Sequence, residues 1–420
     1  NLEHQLIFNT PSYIMKYSRF NILLDKGTYF LAYNTLSKAM VRIKKEDFSI
    51  ENSLLIDKGF VTAEDEDLKL YKYFYLSRLF DNKNISVSIA TTMACNLRCP
   101  YCFEEGNKSN EMMSEDVAEA IVKYLVAKRK HEINVTWFGG EPLMNFKVIE
   151  KISNSLKEHN VTFSASIITN GTLLTDDMIR KLTHFSINSI QITLDGEQEQ
   201  HNAKRFFANG KGTYLHILEN VDNVLRLSDI RVVLKVNLDK ENILSYEKLC
   251  KEIKKRYEEY IDKKRVIISH NFVRNRNNFK GCENCLSEEE YFDRFYDNNK
   301  AINYISNIAA PCPLRSRSDF AIGPDGNIYK CLEFLGNKKK TVGNILSYDI
   351  NIKKQACYAL DFIPFDDNKC CNCEILPLCG GGCPIDRESA IKQHQQVHCS
   401  VLKKRIRQII EDFLDSSNIK

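Results

Sequence analysis

Three thiols at CxxxCxxC spacing, Cys95-Asn-Leu-Arg-Cys99-Pro-Tyr-Cys102, follow a short apolar run and form the most chemically pointed constellation in the chain. Cysteine thiolates are ligands of iron–sulfur clusters. Four of them close a [4Fe–4S] cube, so three leave one iron open to an external ligand, which is then a reaction site. A zinc knuckle would want a fourth Cys or His nearby, and buried free thiols serve as small hydrophobes. These eight residues alone leave the three readings open.

Downstream, Val135-Thr-Trp-Phe-Gly139-Gly140-Glu141-Pro142 reads as a strand ending in a glycine turn that carries a carboxylate. The cysteine loop and this turn together resemble the radical S-adenosylmethionine (SAM) enzymes. The resemblance implies that the amino and carboxylate groups of SAM chelate the open iron, that Gly139-Gly140-Glu141 receives the amino group, and that Tyr101 lies beside the adenine. It also implies cofactor contacts for Thr169-Asn170 and Asp195. His201-Asn-Ala-Lys-Arg205 resembles a family segment whose arginine pairs with the SAM carboxylate, a task suited to a guanidinium fork.

A second cysteine pattern lies near the C-terminal end. Cys312 is followed by Gly326 and Cys331, then by Cys370-x2-Cys373-x5-Cys379-x3-Cys383 and finally Cys399. This resembles the SPASM extension of radical SAM peptide maturases, which binds two auxiliary [4Fe–4S] clusters. Carried over by position, Cys370, Cys373, Cys379 and Cys399 close the distal cluster, and Cys312, Cys331 and Cys383 hold the proximal one. The proximal set lacks a ligand, because Asn303-Tyr-Ile-Ser-Asn-Ile308 has no cysteine where fully ligated relatives place one. Either Cys282 or Cys285 closes it, or it stays open for a substrate thiol. Cys371 beside Cys370 leaves a register ambiguity, and spacing favours Cys370. Cys250 and Cys357 read as ordinary buried thiols.

Fifteen cysteines in 420 residues, with no charged-then-apolar leader, fit metal ligation better than a disulfide scaffold. With 43% hydrophobic and 27% charged residues the chain has material for two or three cored domains. No run approaches a membrane span, and a formal charge of +4 says little about partners. A soluble, cytoplasmic protein without nucleic-acid or membrane partners is the expectation, with Lys338-Lys-Lys340 and Lys263-Lys-Arg265 as solvated turns.

Positioning falls to a parallel β/α rhythm. Apolar runs at Ile85-Ala90, Ile133-Phe138, Phe163-Ile168, Ile190-Leu194, Arg231-Val236 and Val266-Asn271 alternate with helical patterns at 115–130, 213–226 and 245–259. Six strand–helix units predict an α/β fold with a partial (β/α)6 TIM-like barrel over 81–275. Such barrels carry their sites at the C-terminal strand ends, which is where Cys95, Cys99, Cys102, Gly139-Glu141, Thr169-Asn170 and Asp195 fall.

Residues 1–80 read as a small separate domain. Phe20-Asn-Ile-Leu-Leu-Asp25-Lys-Gly27-Thr-Tyr-Phe-Leu-Ala-Tyr33 is a hairpin by composition, and Ala63–Phe80 a helix with an acidic start. The order resembles the winged-helix element with which peptide maturases hold a leader segment as an added strand. Residues 276–311 read as a bridge and 312–420 as the SPASM domain. The whole resemblance implies an enzyme that makes a 5′-deoxyadenosyl radical and installs a cross-link, thioether C–S or C–C/C–O, in a ribosomally made precursor peptide. Its cofactors would be SAM and three [4Fe–4S] clusters, fed by a reductant such as flavodoxin or ferredoxin. Two alternatives stand beside it. One is an anaerobic sulfatase-maturating enzyme making formylglycine, disfavoured because Leu332 follows Cys331 where those enzymes keep an aspartate base, and because Glu333 on an extended segment would face the other way. The other is an iron–sulfur electron-transfer protein.

Overall fold

The structure is a computed structural model that describes residues 14–274 and 284–417. The described residues divide into two compact units, one formed by 14–80, 292–315 and 359–417, the other by 81–274, 284–291 and 316–358. The cysteine-rich region is distributed differently from the single expected block: 316–358 lies with the barrel strands, and 292–315 with the N-terminal residues.

The first unit begins with β1 (Met15–Tyr17), β2 (Asn21–Asp25), β3 (Tyr29–Asn34), β4 (Met40–Lys44), α1 (Ser53–Asp57), β5 (Val61–Ala63) and α2 (Glu66–Leu79). Strands β2, β3 and β4 form an antiparallel sheet in that order, and β1 pairs with β5. The β2–β3 hairpin turns where its sequence says it should: Gly27 sits at φ +80°, and the Asp25 carboxylate accepts from the Gly27 N–H at 2.9 Å. Residues up to 80 do not bury their apolar faces alone. Ile22, Leu24, Leu31 and Tyr33 share a core with Ile305, Ile375, Val401, Ile406, Ile409 and Ile410. Phe20, Leu36, Tyr71, Tyr75 and Leu79 share another with Ala359, Ile363 and Leu376. At about 1.5–3 kcal/mol per buried large side chain, this joint core makes the N-terminal elements and the C-terminal cysteine region one cooperative body.

The second unit is built on β6 (Asn84–Ala90), β7 (Glu132–Phe138), β8 (Phe163–Thr169), β9 (Ile187–Thr193), β10 (Arg231–Leu238) and β11 (Val266–Phe272). All six are parallel and lie side by side in chain order. Helices α3 (Glu115–Ala127), α4 (Phe146–Glu158), α5 (Asp176–His184), α6 (Gln198–Lys204), α7 (Tyr214–Leu227) and α8 (Tyr246–Asp262) make the crossovers. The six expected strands and the three named helices are therefore present, with ends shifted by a few residues. Ser114 caps α3 by accepting from the Val117 N–H. Beyond β6 the sheet continues through β12 (Asp319–Ile322), parallel to β6, and antiparallel β13 (Asn327–Tyr329), β14 (Gly343–Asn344) and β15 (Asp349–Ile350).

Strands β6 to β10 each have one tightly buried face, such as Ile85, Val87 and Ile89 on β6 or Val232, Leu234 and Val236 on β10, whereas on β11 only Val266 is buried. The other face is half-buried and polar, with Ser86, Ser88, Thr136, Ser166, Gln191 and Lys235. Among the described residues no helix is long and apolar enough to cross a membrane.

Candidate active site

The loop carrying Cys95, Cys99 and Cys102 is clamped on both sides by backbone pairing. Its approach, residues 91–94, runs beside the end of β7: Thr91 N–H donates to Phe138 O at 3.1 Å, Gly140 N–H to Thr92 O at 3.0 Å, and Glu141 N–H to Ala94 O at 2.9 Å. The two glycines permit this approach. A Cβ at Gly139 would lie 2.2 Å from Thr92 O, and one at Gly140 would lie 2.3 Å from Ala94 O, while Gly139 also needs φ +128°. On the other side the loop pairs with the segment just after Arg205. Leu97 bridges Phe207, and Arg98 N–H donates to Phe206 O at 2.9 Å.

The carboxylate of Glu141 is wholly buried and committed to the protein. Its Oε1 accepts from Thr169 Oγ1 at 2.7 Å and Leu143 N–H at 3.1 Å, and its Oε2 accepts from Asn170 N–H at 2.8 Å. It thereby ties the end of β7 to the end of β8. Burial pushes its pKa up against these three bonds. Asn170 extends the network to the cysteine loop, donating to Asn96 Oδ1 at 2.8 Å and lying 3.9 Å from Cys95 Sγ. Asn96 in turn donates to Thr172 Oγ1 at 2.9 Å.

Asp195, also wholly buried, takes Asn237 N–H on Oδ1 at 2.9 Å and the Tyr101 hydroxyl on Oδ2. Arg205 Nη1 donates to Tyr101 Oη at 2.7 Å and lies 3.7 Å from Asp195 Oδ2. Tyr101 is thus a hydroxyl bridge between the two. Burial disfavours the Arg205 charge, but Tyr101, Cys99 and Asp195 outweigh it and hold the guanidinium above its ordinary pKa. Arg205 Nε is buried without a hydrogen-bond partner.

The Arg205 backbone is set by a relay through His201. Asp195 N–H donates to His201 Nδ1 at 3.2 Å, which leaves Nε2–H to donate to Thr213 Oγ1 at 2.9 Å. The threonine hydroxyl then donates to Arg205 O at 2.9 Å. Burial first, and Arg205 second, depress the His201 pKa to about 3, so the imidazole stays neutral.

The three loop thiols are half-buried and unpaired. Burial raises all three, Cys102 to about 11, with Arg205 opposing the rise at Cys95 and Cys99. Metal loading must therefore displace protons. Among the described residues no three His, Cys, Asp or Glu side chains converge to chelate one ion; a cubane does not require this, since each thiolate takes its own iron. Free soft ligands, glycines that admit backbone, and an orphaned buried guanidinium nitrogen fit a cluster with an anionic ligand bound beside it.

In the other unit, Cys370, Cys373, Cys379 and Cys399 line one cavity of about 420 Å³. Cys371 points elsewhere, its Sγ 3.0 Å from Phe365 O and 3.8 Å from Pro364 O. Cys312 and Cys383 belong to this unit and Cys331 to the barrel unit. Cys282 lies outside the described residues, and Cys285 is disulfide-bonded. Two readings of the sequence need correction. Cys357 is exposed and Cys250 half-buried, so neither is a core thiol. Residues Leu332–Phe334 form a 3-10 turn, so the argument that placed Glu333 on the far side of an extended segment does not apply. The sequence reading passed over Asn96, Thr172 and Thr213, which orient the loop and Arg205; polar residues next to motif positions were the only available signal. It also had no reason to single out Arg387.

Residues 89–253 match the Radical SAM superfamily. The chain is 27% identical over 339 residues to a cysteine-type anaerobic sulfatase-maturating enzyme of Clostridium novyi, covering 73% of this chain and 89% of that one. It is 22% identical over 430 residues to the radical SAM cyclopropyl synthase TigE of Paramaledivibacter caminithermalis, covering 91% and 88%. Among solved structures it shares the fold of anSMEcpe with bound AdoMet and Cp18Cys peptide, at TM-score 0.59 and 19% identity over 80% of this chain and 97% of the other. It also shares that of Streptococcus suis SuiB bound to S-adenosylmethionine, at TM-score 0.55 and 13% identity over 90% and 97%.

Proposed function

Given that this chain carries a Radical SAM domain, we propose that it modifies a ribosomally made precursor peptide, installing an intrapeptide cross-link. The observation that carries the reading is the meeting of Cys95, Cys99 and Cys102 with Asn170, Asp195, Tyr101 and Arg205 at the C-terminal ends of parallel strands. When bound, SAM and its [4Fe–4S] cluster supply one-electron reductive cleavage and hydrogen-atom abstraction. Cys95, Cys99 and Cys102 hold that cluster. The clamped glycine turn presents backbone toward the SAM amino group, Glu141 fixes that turn, and Arg205, with its free Nε, takes the carboxylate. Tyr101 keeps Arg205 and Asp195 apart and oriented. The polar face of the barrel strands receives the peptide, and its leader adds to an edge of the β2–β3–β4 sheet.

A cross-link removes two hydrogens from the peptide. One leaves by abstraction and the other as a proton plus an electron; Cys370, Cys373, Cys379 and Cys399 would hold an auxiliary cluster able to take up such an electron. Formylglycine formation is the second reading, favoured by the 27% identity to the Clostridium novyi enzyme and opposed by Leu332 following Cys331. The test is anaerobic reconstitution, reduction with SAM, and mass spectrometry for 5′-deoxyadenosine, with a Cys95/Cys99/Cys102 triple-alanine control. Production by the intact protein alone supports SAM cleavage; none from a protein with filled clusters overturns it. Candidate peptides then discriminate: a loss of two hydrogens with a new internal bond supports the cross-link, and an aldehyde at a Cys or Ser the alternative.

A further inference from the structure

Arg387 is 2% exposed, lies on the wall of the four-cysteine cavity, and spends its guanidinium on three partners. Nη1 donates to Cys370 Sγ at 3.3 Å, Nη2 to Asp367 Oδ2 at 2.7 Å, and Nε to Phe362 O at 2.8 Å. Asp367 is itself fixed, because its Oδ1 accepts from Lys369 N–H at 2.8 Å and Cys370 N–H at 3.4 Å. The result is a rigid, buried cation whose fork reaches one sulfur. Its neighbour Cys371, one residue away, is turned to the carbonyls of Pro364 and Phe365. A buried guanidinium in hydrogen-bond contact with a thiol is poorly explained by structure alone, since Asp367 and Phe362 already satisfy two of its three nitrogens. Contact with a thiolate that must carry negative charge accounts for the third.

We propose that Arg387 selects Cys370 over Cys371 as the thiolate ligand of a cluster in this cavity and raises that cluster's reduction potential, poising it to accept an electron. Hydrogen bonds and positive charge at a ligating sulfur stabilise the reduced, more negative cluster. This rests on the reading of the cavity as an auxiliary cluster site, where a raised potential would favour uptake of an electron over its release. Arg387 is a positioning residue, touching the ligand and not the reacting atoms.

The test uses the full chain, reconstituted anaerobically, with iron and sulfide counted and midpoint potentials read by EPR-monitored redox titration. C371S should keep all its iron with unchanged potentials, and C370S should lose about four irons. R387M should keep its iron while the potential of one cluster falls by at least a tenfold change in its redox equilibrium, 59 mV for one electron. Iron loss in C371S, full iron in C370S, or unmoved potentials in R387M each overturn the proposal. Should R387M lose iron, R387K decides: an ammonium can meet the sulfur or Asp367 but not both together with Phe362, so a smaller downward shift at full iron is expected and an unshifted potential overturns the proposal. SAM cleavage is assayed in the same samples. Intact cleavage with unmoved potentials removes this inference alone, whereas no cleavage by the loaded wild type removes the functional reading.

Discussion

Replacing Gly140 with alanine would put a methyl carbon 2.3 Å from Ala94 O, 2.6 Å from Ala94 C and 2.8 Å from Met93 O. Every one of these atoms is backbone, so no side chain can swing away. Restoring even a 3.0 Å separation from Ala94 O requires at least 0.7 Å of movement between the β7 turn and the approach to Cys95. The bonds between these segments, Gly140 N–H to Thr92 O and Glu141 N–H to Ala94 O, contribute about 1 kcal/mol each. G140A should therefore lose about 2 kcal/mol, roughly 4–8 °C in Tm for a unit of this size. The larger consequence is for chemistry, because a displacement near 1 Å costs on the order of 10²-fold in rate. Iron content should stay near wild type, since the three cysteines remain. The assay is 5′-deoxyadenosine formation on reconstituted, reduced protein, beside thermal unfolding. G106A is the control: a Cβ there meets nothing within 4 Å, and it should change neither quantity. Wild-type rate and Tm in G140A would refute the idea that this clamp positions the loop.

The neutral His201 makes acid stability a readout. Its pKa falls from 6.5 to about 3 on folding, so below pH 6.5 the unfolded chain takes a proton that the folded one refuses, and stability drops by about 1.4 kcal/mol per pH unit. H201N cannot charge and should show a shallower loss in urea unfolding between pH 6.5 and 5; parallel slopes would contradict the burial argument. E141Q replaces one accepting oxygen of a carboxylate that takes three hydrogen bonds, and should cost about 2–3 kcal/mol in chemical denaturation; an unchanged midpoint would mean the β7–β8 tie is dispensable. R205K keeps a charge but loses the fork that reaches Tyr101, so SAM affinity measured by equilibrium dialysis should weaken about tenfold at constant iron, and equal affinity would remove Arg205 from the carboxylate role.

The parallel strands were legible because they alternate or run apolar over six to eight residues between clear helical patterns, and burial on one face enforces that signature in the five strands from Ile85 to Leu238. The motif residues were legible because their chemistry is rare: thiols at fixed spacing and a Gly-Gly-Glu turn. What the sequence hid is what backbone atoms do. Nothing in Thr92, Ala94 or Leu97 announces that they pair with Gly140, Glu141 and Phe207, since any side chain is compatible with a main-chain hydrogen bond. The grouping of residues up to 80 with the C-terminal cysteine region was hidden for another reason. Leu24 or Tyr71 is apolar whether its partner is local or, like Ile406 and Leu376, more than 300 residues away.

Glu141 shows how a motif residue can matter without touching a ligand. Its carboxylate lies in the most suggestive tripeptide of the chain, yet both oxygens are taken by Leu143, Thr169 and Asn170. Oε1 accepts two hydrogen bonds and Oε2 one, so three of about four lone-pair sites are committed to the fold and one on Oε2 is left. Most of the carboxylate's hydrogen-bonding capacity therefore goes to tying the end of β7 to the end of β8, beside the turn whose N–H groups pair with the approach to the cysteine loop. Arg205 presents the opposite case, a buried charged group with one nitrogen left unmatched. The two residues differ in how far the fold satisfies them: Glu141 spends three bonds on fixing geometry, and Arg205 keeps a buried nitrogen with none.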